Sequence, residues 1–141
     1  MSKRHEYKYA ADLPIAKVAH EVLLETLRAT RKMERTCKYD IGVRMVNSIL
    51  EIESLITEAH FNPTNRVSAV IGVLKEFAKL QSLYRAACDS QRLGFRVMSQ
   101  DVYIKVMPQL ASLERQAVGW LHSLQPDNEL FQNMQVSPCV E

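Results

Sequence analysis

Apolar residues recur every three or four positions along four long stretches of this chain, the periodicity of helices that bury one face. The first stretch carries Ile15, Val18, Ala19, Val22, Leu23 and Leu27, with Lys17, Glu21, Glu25 and Arg28 opposite. Asp12, two residues ahead of Pro14, predicts its start: a carboxylate caps free N–H groups, and proline is tolerated in a first turn. The second stretch runs from about Tyr39 to His60 on a seam of Ile41, Met45, Ile49, Ile52, Leu55 with Ile56, and Ala59. Phe61-Asn62-Pro63-Thr64 ends it, since proline cannot continue a helix and Thr64 can cap the next one. The third covers about Asn65 to Ser90, with Val67, Val70, Ile71, Leu74, Phe77, Ala78, Gln81, Tyr84 and Cys88 on one side, and Gly94 beyond it as a stop signal. The fourth opens at Ser99 and reaches about Leu124, on a stripe of Val102, Val106, Leu110, Leu113, Ala117, Trp120 and Leu124. That stripe keeps its register across Pro108, which predicts a kink there rather than a break.

Four such helices joined by short connections predict an all-α, antiparallel up-down four-helix bundle over residues 12–124. A polar basic arm (1–11) precedes it and a polar tail (125–141) follows. Length and composition agree: 141 residues is one domain, 47% hydrophobic and 24% charged residues are ordinary for a soluble chain, and there are only four glycines and five prolines. No repeat or strand pattern is present. The N-terminus lacks an apolar signal core, and no stretch is long and apolar enough to span a membrane. Cys37, Cys88 and Cys139 are odd in number and far apart, which fits free thiols in a reducing cytoplasm. In the arm, Lys3, Arg4 and Lys8 interleave with Tyr7 and Tyr9; in the tail, Leu130, Phe131 and Met134 are candidates for docking on a partner.

Charge changes the picture more than composition does. The stretch from Arg28 to Arg44 holds six of the eighteen basic residues, Arg28, Arg31, Lys32, Arg35, Lys38 and Arg44, against only Glu34 and Asp40, while the whole chain carries +2. Cations at a helix C-terminus complement the helix dipole, which accounts for one or two of them and not for six. In an up-down bundle the first and third connections fall at one end. The third, from Arg85 to Lys105, adds Arg85, Arg92, Arg96 and Lys105 against Asp89 and Asp101. Together the two connections carry +6, so the rest of the molecule is net negative. Lys75 and Lys79, four apart on another face of the third helix, complete the set of candidate binding cations. Two readings stand: a solvated charged face, or a surface for a polyanion, with nucleic acid first. Tyr39, Phe95 and Tyr103 lie near the same end, where they either stack on bases or pack against the connections.

Residues that would carry chemistry are not arranged for it. His20, His60 and His122 have no glutamate three positions before them, as a di-iron bundle needs, and there is no haem-attachment motif. Met33 or Met45 with His122 is a poor haem pair because His122 lies off its helix's apolar stripe. There is no glycine-rich phosphate loop and no nucleophile elbow. Cys37 sits among cations but has no histidine nearby in sequence, and it reads as a passive thiol. We read no active site, no cofactor and no metal.

Two segments carry a resemblance. KMERTCKYDIGVRMVNSILEIESLITEAH is similar to the second-helix region of a family of bacterial and phage four-helix-bundle proteins. That family includes the accessory variability determinant (Avd) proteins of diversity-generating retroelements and the proteins encoded by intervening sequences in ribosomal RNA genes. LQSLYRAACDSQRLGFRVMSQDVYIKVMPQLASLERQAVGWLHSL resembles its third-helix end and fourth helix, with Arg85 after an aliphatic–aromatic pair, Ser99 as a cap, and Gly119-Trp120 near the close. Pro108 and the tail depart from the pattern. The resemblance implies a non-catalytic, homopentameric protein whose basic surface binds a reverse transcriptase and RNA in support of mutagenic cDNA synthesis. It points first to Arg85, then to Arg31, Lys32 and Arg35. The alternatives are a bundle of the ribosomal intervening-sequence type or a protein-only adaptor for an acidic partner.

Overall fold

The computed structural model describes residues 9–95 and 97–125, and of Gln91 only the backbone. Its four long helices are α1 (Pro14–Arg31), α2 (Val43–Phe61), α3 (Arg66–Asp89) and α4 (Gln100–Leu124). α1 packs on α2 and α4, α3 packs on the same two, and the backbones of the diagonal pairs stay largely apart. With short connections this is an antiparallel up-down bundle, and no strand occurs among the described residues. No helix among them is long and apolar enough to cross a membrane.

The helix limits differ from the sequence reading where local capping competes with packing. Leu13, in extended conformation, stands at the cap position of α1 with Pro14 as its first residue, while Asp12 ends a short 3-10 turn (Ala10–Asp12). That turn buries Ala10, so the bundle begins inside the expected arm; Lys3, Arg4, Tyr7 and Lys8 lie outside the described residues. The cap before α3 is Asn65 and not Thr64, after a 3-10 turn at Pro63–Asn65. Before α2 the chain is already helical, through one α turn (Arg35–Cys37) and a π turn (Lys38–Gly42). Ser99 caps α4 as expected, its hydroxyl accepting from the Val102 N–H at 3.4 Å.

α4 continues unbroken through Pro108. Proline removes one backbone donor and its ring crowds the preceding turn. With its amide nitrogen turned inward, the Gln109 side chain donates to the carbonyls of Lys105 (2.9 Å) and Val106 (3.2 Å) in the turn before the proline. Most of the core follows the predicted seams: Ile49, Ile52 and Ile56 on α2 and Val106, Leu110 and Leu113 on α4 are all at most 3% exposed.

On α3 the buried face is rotated from the predicted one. Val70, Val73, Phe77, Leu80, Tyr84 and Ala87 are buried, and Ala78 is exposed. Apolar residues occur on two sides of this helix, and only its contact with α2 chooses between them. Near the end of α4, Leu121 is fully buried and Trp120 only partly. On α1, Leu27 is 41% exposed while Thr26 is fully buried. Thr26 tolerates burial because its hydroxyl donates to the Val22 carbonyl at 2.7 Å and accepts from the Tyr84 hydroxyl at 2.6 Å.

Candidate nucleic-acid interface

The two basic connections meet at one pole of the bundle, and named contacts hold them there. Met33 of the first and Met98 of the second are both buried in the main core. A side chain at Gly42 would come within 3.2 Å of Thr30 Cγ2 and Met33 Sδ, so glycine allows the π turn to close against the end of α1. The second connection is tied by Ser90, whose Oγ donates to the Ala87 carbonyl and accepts from the Val97 N–H, both at 2.8 Å. Gly94 follows at φ +92°, a conformation that favours glycine. The backbone of the pole is thus fixed largely by apolar and neutral contacts, with one bond from Arg44 to the Asp40 carbonyl, and Arg31, Lys32 and Arg35 take no part in it.

Arg31 and Lys32 at the end of α1 and Arg35 in the following turn are exposed. None has a carboxylate within 4.0 Å among the described residues. Arg28 differs, because Nη1 pairs with Glu25 at 2.9 Å. Lys32 and Arg28 share a shallow cleft with Asp101 and Lys105 of α4, on the α1–α4 flank of the pole. Arg85 in the last turns of α3 and Arg92 in the 3-10 turn Ser90–Leu93 are exposed at the same pole, and neither is ion-paired among the described residues. Lys38 is half-buried in the π turn. Arg44 donates from Nε to the Asp40 carbonyl at 3.1 Å and lines a groove with Lys79, Glu51 and Glu76 between α2 and α3. Arg96 lies outside the described residues.

Two candidates are not brought to the pole. At 1.5 Å per residue, Lys75 and Lys79 lie roughly 21 and 15 Å along α3 from its polar end. Lys79 pairs with Glu76 at 3.1 Å, and Lys75 shares a groove with Glu114 of α4. Lys105, counted in the charge of the second connection but not singled out as a binding residue, lies beside Arg28 and Lys32. Its sequence signal was its place four residues after Asp101, in the opening turns of a helix that starts at the basic pole.

Of the aromatic candidates near this pole, Tyr39 (66%) and Phe95 (51%) are exposed. Tyr103 packs inward, its ring stacked on Tyr84 with centroids 6.3 Å apart and planes at 28°. Burial pushes the Tyr84 hydroxyl up to about 12; the Thr26 hydrogen bond opposes this and the Glu25 charge adds to it. Cys88 is buried, which raises its thiol pKa, helped by the charge of Asp89. Cys37 is half-buried at the pole and Cys139 lies outside the described residues. Comparison with protein-family models, with curated proteins and with solved structures finds no match for the chain.

Proposed function

We propose that this protein is a non-catalytic accessory subunit that binds RNA through its basic pole. The observation that carries the proposal is the exposure of Arg31, Lys32 and Arg35 with no carboxylate partner among the described residues, on a pole whose backbone is held by other contacts. Lysine and arginine gathered at helix ends bind phosphates and read few bases, so affinity is salt-dependent and weakly sequence-specific.

The resemblance to the Avd proteins supplies the setting, support of a retroelement reverse transcriptase during mutagenic cDNA synthesis in the cytoplasm. A homopentameric ring, which the resemblance also implies, repeats the pole around one axis and turns weak single contacts into multivalent binding. Ile104 (62% exposed) and Met107 (47%) of α4 supply apolar surface for such an assembly. Light scattering in solution tests the ring, and a monomer at working concentration rejects it.

The decisive experiment measures binding of a structured RNA across a salt series, for the native protein and for Arg31→Ala, Lys32→Ala and Arg35→Ala combined. Native binding weakens steeply with salt, and the triple variant binds about a hundredfold more weakly at low salt, with a shallower slope. Native-like affinity in the triple variant rejects the proposal. Failure of the native protein to bind RNA, with retention of an acidic protein partner, replaces it with the protein-only adaptor.

A further inference from the structure

The pole has a second flank with different chemistry. Opposite the Arg28–Lys32–Lys105 cleft, where the turns leading into α2 meet the end of α3, a groove of about 440 Å³ opens. Its lining includes Cys37, Ile41 and Val97, with Leu93 (75% exposed) and Phe95 (51%) at its edge. Two carboxylates, Glu34 and Asp40, line it as well, and neither forms an ion pair among the described residues. An exposed apolar patch rimmed by charged groups marks an interaction site, because covering its apolar side chains is favourable while its charged rim stays soluble.

We propose that this groove docks a segment of a partner polypeptide that carries an apolar side chain next to a lysine or arginine. The volume suits a few side chains rather than a folded domain. The apolar residue enters between Phe95, Leu93 and Ile41, and the adjacent cation meets Glu34 and Asp40. Inside the groove Glu34 and Asp40 favour a cation over a phosphate, while Arg35 and Arg92, next to Glu34 and Leu93 in the chain, lie outside its lining. The two flanks of the pole therefore hold different partners at once: phosphates on the α1–α4 side and a basic, apolar peptide on the α2–α3 side. This inference stands on the groove alone and does not depend on RNA binding by the other flank.

Cys37 in the lining serves as a reporter, with Cys88 buried and Cys139→Ser removing the third thiol. The probe is a short fluorescent peptide with leucines four apart and arginines between them; its counterpart has glutamates in place of the arginines. The arginine peptide binds and slows N-ethylmaleimide alkylation of Cys37, located by mass spectrometry, whereas the glutamate peptide does neither. Glu34→Gln with Asp40→Asn weakens the arginine peptide roughly fivefold, and Phe95→Ala weakens it about tenfold. These are exposed positions, and circular dichroism checks that the variants keep their helices. Equal binding of the two peptides, indifference to the carboxylate changes, or protection of Cys37 by single-stranded RNA instead of by the peptide overturns the inference. The Arg31, Lys32 and Arg35 variant, measured for RNA in parallel, separates failure of the groove from failure of the basic flank.

Discussion

Arg66 at one end of the bundle and Arg31 and Arg35 at the other are used in opposite ways. At the end where α2 gives way to α3, Arg66 donates from Nε to the Ala59 carbonyl at 2.6 Å and from Nη2 to the His60 carbonyl at 3.0 Å. It satisfies carbonyls that the last turn of α2 leaves without intrahelical donors. Beside it, the Glu58 carboxylate accepts from the side-chain amides of Asn62 and Asn65, each at 3.0 Å. At the other end Arg31, Lys32 and Arg35 have neither carboxylate nor carbonyl partners among the described residues, and Met33, Met98 and Ser90 hold the connections instead. A cation whose donors close a helix is structural. A cation left out of a connection held by other contacts is available for a ligand.

Exchanging these roles by mutation tests the contrast. The largest effect belongs to the basic pole: the triple Arg31, Lys32 and Arg35 variant loses about a hundredfold in RNA affinity while its thermal midpoint stays within about 2 °C. A drop of many degrees would mean that those cations hold the pole together after all.

Next comes the core that joins α1 to α3 beneath the basic pole. The pKa of Tyr84 is raised on folding, so its contribution is fully present below pH 10, the ordinary tyrosine value, and is lost as pH rises through about 12. Denaturant titrations should show roughly 2–3 kcal/mol disappearing over that window. Tyr84→Phe removes most of that loss and costs about 1 kcal/mol at neutral pH, from the broken bond to Thr26. An unchanged alkaline profile in the phenylalanine variant would assign the loss to other groups.

A smaller effect is expected at the opposite end. Arg66→Ala costs about 1.5–3 kcal/mol in urea unfolding, because charged donors leave two carbonyls, and RNA affinity does not move. A fall in RNA affinity would break the division between the two ends. Smallest is Ser90→Ala, about 1 kcal/mol, which loosens the second connection; faster amide exchange at Val97 reads that directly.

The sequence showed the number of helices, their order and most of their limits, because periodicity is a local property. Ile49, Ile52 and Ile56 sit three and four apart on a helix whose far side carries Asn47, Glu51, Ser54 and Glu58, so their burial was legible. The buried face of α3 was not: Val73 and Leu80 compete with Ile71 and Ala78, and local spacing does not say which pair α2 will cover. Thr26 was missed because its burial depends on Tyr84, fifty-eight residues away in sequence. Among the candidate cations, the cluster at the end of α1 was visible as a run. Lys75 and Lys79 were grouped with it by charge alone, and the length of α3 separates them from it.

Hydrophobic spacing and the run of basic residues thus determined by themselves that this chain forms a helical bundle with a positive end, since both are written in neighbouring positions. Only the tertiary structure decided that Arg66 is tied to backbone while Arg31, Lys32 and Arg35 are not, and that Lys105 joins Arg28 and Lys32. It alone set Glu34 and Asp40 beside Leu93 and Phe95 on the other flank. Those are relations between residues far apart in the chain, fixed by which helix faces pack together.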